Sequence, residues 1–277
     1  MADARPIGVF DSGVGGLTVL RELRKLLNGE RLHYLADLAH FPYGPRYQHE
    51  VRAYALRIVE HLVDEDVKLV VIACNTATAA ALNAARERFD VPIVGVISPG
   101  AQAAVEATRS GRVAVISTEG TYASQQYLHA MWEANPGVGI LPIAAPGLVE
   151  VVEEGDADTP RAEAALRPIV DQVLDWGADT LVLGCTHYPL LRPALERVSA
   201  GRLLIVDSAQ TTAARVERIL SVNRLEGGSG PAPAPRLSVT ADPGRFEAVA
   251  ALFFGEPLPP PDVIPLWERK RGVAVAS

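Results

Sequence analysis

The stretch LVVIACNTATAAAL, residues 69–82, decides which fold the sequence predicts. Four apolar and mostly β-branched residues lead to Ala73 and Cys74, and an Ala-rich segment with helical spacing follows at once. A short and continuous apolar run is typical of a strand that is buried on both faces, as in a parallel sheet covered by helices. The stretch therefore predicts one strand–helix unit of an α/β fold.

The same alternation of short apolar runs and Ala-rich amphipathic segments continues along most of the chain. Residues 76–89 and 164–174 have apolar side chains at helical spacing, and such segments between strands are typical of βαβ units. We therefore predict a doubly wound α/β architecture. The predicted strands cover residues 7–10, 32–36, 68–74, 92–98, 112–117, 180–185 and 203–207, and a further strand and helix lie within 236–254.

The sequence contains an internal repeat. TLVLGCTHYPLL, residues 180–191, has the same order of apolar run, small residue, cysteine and hydroxyl-bearing residue as residues 69–82. GVFDSGVGG, residues 8–16, matches AVISTEGTY, residues 114–122, at nearly the same offset. Two elements repeated in the same order predict two related α/β halves that face one cleft. We expect a first domain of residues 1–97 plus 208–277 and a second domain of residues 98–207.

Composition excludes several classes of protein. A length of 277 residues suits one large or two modest domains, and a net charge of −7 argues against nucleic acid as a partner. The N-terminal residues show no signal peptide, and no apolar run approaches the roughly 18 residues of a membrane span. We therefore expect a cytoplasmic protein without a membrane partner. The basic run ERKR, residues 268–271, is interpreted as a solvated tail.

Polar side chains gather at the predicted carboxyl ends of the strands, where open parallel sheets bind their ligands. Helix capping explains Thr76 or Thr118, each taken singly, as well as ligand binding does, since threonine often caps a helix. Capping does not explain why both cysteines of the chain occupy equivalent points. The clusters are Asp11-Ser12, Cys74-Asn75-Thr76, Ser117-Thr118 and Cys185-Thr186-His187.

The two cysteines suggest acid–base chemistry. A cysteine at a helix N-terminus is expected to have a lowered pKa, and the same N–H groups suit a carboxylate ligand. Two equivalent thiols on opposite sides of a small anion can remove a proton from one face of a carbon and return one to the other face. This arrangement favours inversion of a stereocentre.

Each half also has an auxiliary ionisable residue. Asp11 stands at the end of the first strand, where an unpaired carboxylate is costly unless it meets a ligand or a cap. His187 follows Cys185 by two residues. The alternative interpretation of this histidine is a structural role. We interpret Asp11 beside Cys74 and His187 beside Cys185 as groups that tune each thiol and stabilise a ligand ammonium.

The sequence argues against a cofactor or a metal. Pyridoxal phosphate needs a Schiff-base lysine, but Lys25 lies in a predicted helix, Lys68 at the wrong end of a strand and Lys270 in the tail. No Cys/His cluster has the spacing of zinc ligands. The glycines of residues 8–17 lack the third glycine of a dinucleotide-binding motif and the lysine of a P-loop. We expect neither cofactor nor metal.

Five motifs in order, FDSGVGGL, PYG, ACNTATA, VISPG and GCTHYPLL, resemble those of the bacterial glutamate racemases. These belong to the cofactor-independent aspartate/glutamate racemase superfamily, and the similarity runs from about residue 7 to at least residue 207. The resemblance implies two pseudo-symmetric flavodoxin-like domains with the active site in the cleft between them. It also implies a homodimeric isomerase that interconverts L- and D-glutamate and supplies peptidoglycan synthesis, hence cell wall biogenesis and cell shape.

The resemblance also implies roles for individual residues. Cys74 and Cys185 match the two proton-transfer cysteines, and Glu153 matches an acidic residue that assists the second. His40 departs from the usual A-R-x-P-Y-G, and residues 144–150 lack a frequent Cys-Pro. Aspartate racemases tend to carry Glu where this chain has His187, which favours glutamate. The matches to substrate-binding positions are Asp11, Ser12, Tyr43, Gly44, Asn75, Thr76, Thr118, Thr121, Thr186 and His187.

Three alternatives stay open from the sequence. One is a racemase for aspartate or another amino acid with the same mechanism. Another is a cysteine hydrolase that uses Cys185 and His187, which leaves Cys74 without a role. The third is a non-catalytic protein that binds an acidic ligand, in which either thiol is dispensable.

Overall fold

A computed structural model describes residues 2–228 and 230–268, so Lys270 and all but Glu268 of the basic run lie outside the described residues. The strands are β1 (Ile7–Asp11), β2 (Leu32–Ala36), β3 (Leu69–Ile72), β4 (Ile93–Gly95), β5 (Arg112–Ser117), β6 (Gly139–Ala144), β7 (Thr180–Gly184), β8 (Leu204–Asp207), β9 (Arg236–Val239) and β10 (Asp262–Val263). The α-helices are α1 (Leu17–Leu26), α2 (Gln48–Asp64), α3 (Asn75–Arg88), α4 (Ile97–Ala107), α5 (Glu119–Ser124), α6 (Gln126–Ala134), α7 (Leu148–Glu153), α8 (Pro160–Asp175), α9 (Arg192–Ser199), α10 (Ser208–Asn223) and α11 (Pro243–Phe254). Short 3₁₀ helices span Leu38–His40 and Tyr188–Leu191.

The strands form two parallel sheets with a shared topology. The first sheet has the order β10-β9-β2-β1-β3-β4, and the second has the order β6-β5-β7-β8. When β5 is matched with β1, both sheets contain the order 2-1-3-4 that begins the flavodoxin-like fold. The predicted α/β class and the predicted repeat are therefore confirmed.

Burial explains why the apolar runs form the centre of each sheet. Every residue of β1, β2, β3 and β7 is buried, which fits strands that helices cover on both faces. The largest hydrophobic cluster joins side chains of both halves, such as Val9 of β1 and Leu183 of β7. The helices are amphipathic, and none within the described ranges is long and apolar enough to cross a membrane.

The C-terminal section contributes strands to the first sheet. β9 pairs with β2, and β10 pairs with β9, so this sheet takes strands from residues 7–95 and 236–263. The second sheet takes all its strands from residues 112–207. Helix α10 packs against both α1 and α4 and so joins the two parts. The domain boundaries at 97/98 and 207/208 stay a prediction.

Two strands were not predicted. Strand β6 contains Pro142, which argues against a strand at the centre of a sheet, but β6 lies at an edge and pairs only with β5. Strand β10 has two residues and lies within the Pro-rich stretch 257–265, which was expected to be an extended tail. In both places the prolines argued against a strand, so the sequence pattern did not predict one.

Candidate active site

A small cavity lies at the carboxyl ends of the central strands, where the two halves meet. Its volume is about 120 Å³, well below the roughly 300–1,000 Å³ of pockets for drug-sized ligands, so it suits a small molecule. Both cysteines line it, as the internal repeat predicts. The predicted site residues in the lining are Ser12, Tyr43, Gly44, Cys74, Asn75, Thr76, Thr118, Cys185, Thr186 and His187.

Cys74 caps the N-terminus of α3. Its Sγ accepts a hydrogen bond from the N–H of Ala77 at 3.4 Å and donates to Oγ of Ser12 at 3.8 Å. Burial and the neighbouring Asp11 carboxylate raise the pKa of the Cys74 thiol to about 12, against the effect of the Ala77 N–H. The lowered pKa expected from the helix N-terminus is therefore wrong for Cys74, because desolvation and a like charge outweigh the backbone N–H groups. Cys74 carries a proton at neutral pH.

Cys185 follows β7, but the expected α-helix does not begin there. Tyr188–Leu191 forms a 3₁₀ helix, and α9 begins only at Arg192. Pro193 has no N–H to donate to the carbonyl four residues earlier, so regular α-helical bonding cannot run through this turn. Instead of a helix N-terminus, the Sγ of Cys185 meets Nδ1 of His187 at 3.9 Å.

His187 connects Cys185 to a carboxylate. Its Nε2 lies 3.0 Å from Oε1 of Glu153, and Oε2 of Glu153 accepts from Arg245 of α11. Burial lowers the pKa of His187, but the hydrogen bonds with Cys185 and Glu153 and the charge of Asp11 raise it to about 10. Burial raises the pKa of Glu153, yet His187 and Arg245 together hold it below its ordinary value.

Asp11 is fully buried and does not line the cavity. Its Oδ1 accepts from the N–H of Gly13 at 2.8 Å, and its Oδ2 accepts from Oγ1 of Thr186 at 3.2 Å. Burial raises the pKa of Asp11, while the His187 charge and these hydrogen bonds oppose that rise. The carboxylate thus joins the first strand to the wall formed by Thr186 and His187, one layer behind the cavity surface.

A cluster of hydroxyls joins the halves on the Cys74 side. Oγ1 of Thr76 lies 3.0 Å from Oγ1 of Thr118 and 3.3 Å from Oγ1 of Thr121. Thr121 is behind this wall and, like Glu153, does not line the cavity. Gly44 also links the two halves, since its carbonyl accepts a hydrogen bond from the N–H of Gly120 at 2.9 Å. Of the five predicted catalytic residues, Cys74, Cys185 and His187 line the cavity, and Asp11 and Glu153 do not.

The glycines after β1 are needed for close packing around the site. A Cβ on Gly15 would lie 2.5 Å from Nδ1 of His187, and a Cβ on Gly16 would lie 2.9 Å from the hydroxyl of Tyr34. Both distances are shorter than real Cβ contacts. Gly15 therefore permits the approach of the two halves at this point, and Gly16 permits close packing within the first half.

The described lysines lie away from the cavity. Lys68 is buried immediately before β3, where its Nζ donates to the carbonyl of Asp3 at 2.8 Å and pairs with Glu30. Lys25 is exposed on α1 and pairs with Glu22. No group of three or more His, Cys, Asp and Glu within residues 2–228 and 230–268 is placed to hold a metal ion.

Sequence reasoning missed several residues at or next to the cavity. Asp37 is fully buried, and its carboxylate accepts from Tyr43 at 2.6 Å, from Thr240 at 2.7 Å and from Trp267 at 2.8 Å. Arg245 was missed because it lies in a C-terminal helix that carries no motif. Missed residues in the lining include Phe41, Glu119, Glu150 and Tyr188. Three of them, Phe41, Glu119 and Tyr188, stand directly beside motif residues in the sequence.

Comparison with known proteins places this site in a family. The model of the Asp/Glu/Hydantoin racemase family matches residues 7–216. A protein named glutamate racemase from Acidothermus cellulolyticus is 47% identical over 255 residues, which are 90% of this chain and 95% of the relative. The glutamate racemase structure from Bacillus anthracis superposes with a TM-score of 0.87 at 35% identity, covering 95% of this chain and 98% of its own.

The structure of a glutamate racemase from Francisella tularensis subsp. tularensis in complex with D-glutamate is also similar. It has a TM-score of 0.89 at 29% identity and covers 95% of this chain and 98% of its own. The family match covers most of the length, and the curated relatives align almost from end to end. The chain belongs to the Asp/Glu/Hydantoin racemase family.

Proposed function

We propose that this family member is a glutamate racemase, which interconverts L- and D-glutamate by proton transfer at Cα between two cysteines and without a cofactor. The observation that carries the proposal is the pair of thiols at matched strand ends of one cavity, Cys74 and Cys185. Relatives named glutamate racemase at 40–47% identity support the choice of substrate.

The proposed reaction begins with the two cysteines in opposite protonation states. The thiolate of Cys185, beside protonated His187, removes the Cα proton from one face of glutamate, and the C–H electron pair remains on the substrate as a carbanion. Cys74 then gives its proton to the opposite face, and its S–H electron pair stays on sulfur. Turnover leaves Cys185 as thiol and Cys74 as thiolate, which is the state that the reverse reaction requires.

The lining offers suitable contacts for a small dicarboxylate. Asn75, Thr76, Thr118 and Thr186 present amide and hydroxyl groups to the cavity, and such groups donate hydrogen bonds to carboxylates. Relatives support this ligand, since one solved glutamate racemase contains D-glutamate and another contains L-glutamate. A solved aspartate racemase homologue and a solved aspartate racemase have a similar fold, at only 17% and 18% identity to this chain.

Racemisation in deuterated water tests the proposal directly. Purified protein is incubated with L-glutamate and no added cofactor, while optical rotation and α-deuteration are followed. We expect loss of rotation together with one deuterium at Cα in the D-isomer. Absence of deuterated D-glutamate would overturn the proposal. Turnover of L-aspartate at a comparable kcat/KM would instead assign the chain to the broader amino acid racemases.

The cellular setting and the assembly follow as further parts of the proposal. We propose a cytoplasmic homodimer whose D-glutamate enters peptidoglycan synthesis and so maintains cell wall and cell shape. Light scattering of the full chain at micromolar concentration checks the assembly. A mass of one chain, 29.5 kDa, would contradict the homodimer.

A further inference from the structure

The amide of Asn75 has one partner and one free end. Asn75 is the first residue of α3 and lines the cavity, and its Oδ1 accepts a hydrogen bond from the hydroxyl of Tyr127 at 2.8 Å. Its Nδ2 is buried and has no hydrogen-bond partner among the residues that the structure describes. A buried polar group without a partner calls for an explanation, and a ligand acceptor in the cavity supplies one.

The partner residue comes from the other half of the molecule. Tyr127 lies on α6, with 3% of its surface exposed, and belongs to the cluster around Ile97, Val115 and Met131. Its ring packs against the backbone just before the second cysteine, since a Cβ on Gly184 would lie 3.1 Å from Cε2 of Tyr127. The glycine before Cys185 thus makes room for the ring.

The hydroxyl of Tyr127 acts as a donor toward Asn75. Burial raises the pKa of Tyr127, so the phenol keeps its proton. A phenol has one proton to donate, and that proton is directed at Oδ1 of Asn75. The opposite orientation of the amide would place Nδ2 against the phenol and turn Oδ1 toward the ligand, where it would repel a carboxylate.

We infer that Tyr127 is a positioning residue, which fixes the amide of Asn75 so that Nδ2 donates to a carboxylate of glutamate. The inference rests on the proposed function and adds to it a residue outside the cysteine motifs. Tyr127 and Asn75 then form a chain of two donors, running from α6 to the cavity. Tyr127 touches no substrate atom in this scheme and acts only through Asn75.

A double-mutant cycle with Asn75 tests this role. Tyr127→Phe is expected to raise the KM for both enantiomers about tenfold and to change kcat less than about twofold, because the carboxylate contact exists before and during the reaction. In an Asn75→Ala background the same change is expected to alter KM less than about twofold, since the amide is already gone. Tyr122→Phe, the same substitution on the neighbouring helix α5, is the matched control and is expected to leave both constants unchanged.

A binding measurement provides a second readout for this cycle. If Asn75→Ala turns over too slowly to follow, glutamate affinity by calorimetry gives the same cycle. Equal effects of Tyr127→Phe in both backgrounds, or an unchanged KM in the single variant, would overturn the inference alone. Wild-type chain that neither racemises nor binds glutamate would overturn the proposed function, and this inference with it.

Discussion

Nε2 of His187 lies 3.0 Å from Oε1 of Glu153, on the side of the imidazole that faces away from Cys185. The other ring nitrogen, Nδ1, lies 3.9 Å from the Sγ of Cys185. Glu153 comes from α7 and is itself held by Arg245, so the charge of the ring depends on residues behind the cavity wall. Removing the carboxylate should therefore change the charge on His187 while leaving the lining intact.

We expect Glu153→Gln to shift the alkaline limb of the pH–rate profile to lower pH. Glu153 helps to raise the pKa of His187 to about 10, so the ring is protonated below that pH and loses its charge as the pH rises through it. Without the carboxylate the pKa falls toward the ordinary 6.5, and the protonated ring is lost earlier. Measurement of kcat from pH 6 to about pH 10.5 checks the shift.

Glu154→Gln is the matched control for this experiment, because Glu154 is the next residue but pairs with exposed Arg161. Its profile should follow that of the wild type. The contribution of His187 to the free energy of unfolding has the same pH dependence. A raised pKa of His187 stabilises the folded state fully below about pH 6.5, and this contribution is lost as the pH rises through about 10. An unchanged alkaline limb in Glu153→Gln would contradict the role of the pair.

Replacement of either cysteine by serine should abolish racemisation in both directions. A serine hydroxyl is a far weaker acid than a thiol, so it serves poorly as either the base or the acid. We expect kcat/KM to fall by at least roughly 10²–10⁴ for Cys74→Ser and for Cys185→Ser. Because enantiomers have equal free energies, the loss in kcat/KM must be the same for L- and D-glutamate.

Polarimetry with each enantiomer measures this loss. Thr180→Ser, at the opposite end of strand β7 from Cys185, is a buried control that should retain full activity. Full activity in either cysteine variant would exclude the two-thiol scheme and favour a single-base reaction.

The sequence predicted those parts of the site that lie at strand ends. The apolar runs locate β3 and β7, and the carboxyl ends of parallel strands meet at one edge, so the sequence alone predicts that Cys74 and Cys185 face one cavity. The protonation state of Cys74 could not be predicted in this way. It depends on complete burial and on the Asp11 carboxylate, which sequence spacing does not reveal.

The missed contacts come from chain segments far away in sequence. Tyr127 approaches Asn75 and Arg245 approaches Glu153 only after the halves have packed together. Both lie in ordinary amphipathic helices, where a tyrosine or an arginine is explained equally well by packing or solvation. Local pattern therefore gives no reason to select them, and only tertiary packing identifies them.

Gly15→Ala should disable the site with little change in secondary structure. The added Cβ would lie 2.5 Å from Nδ1 of His187, so the imidazole must leave the position in which Nδ1 meets Cys185. We expect kcat/KM to fall at least about 100-fold, as small displacements of catalytic groups commonly cost that much. Gly137→Ala, at an exposed turn whose nearest neighbour is an Asn135 oxygen 3.3 Å away, is the control. Wild-type activity in Gly15→Ala, measured by polarimetry, would show that the cavity wall accommodates the added methyl group without loss of catalysis.

Lys68→Met should lower stability and spare catalysis. Lys68 is 1% exposed, and its loss leaves the buried Glu30 carboxylate without its cation, although the N–H of Gly227 still donates to Oε1 at 2.6 Å. Breaking one side of a buried ion pair typically costs about 3–5 kcal/mol of the free energy of unfolding. Catalysis should persist, because Lys68 precedes β3 whereas Cys74 follows it. Urea denaturation measures the loss, and polarimetry without urea measures kcat/KM.

Lys25→Met is the control for that experiment, because Lys25 is exposed on α1 and its pair with Glu22 should contribute less than about 1 kcal/mol. The comparison also tests whether a lysine takes part in the chemistry. If Lys68→Met lost activity while its unfolding free energy stayed at the wild-type value, the buried amine would have to reach the substrate. Its hydrogen bond to the Asp3 carbonyl, at the amino end of the sheet, places it on the side away from both cysteines, so we expect stability alone to change.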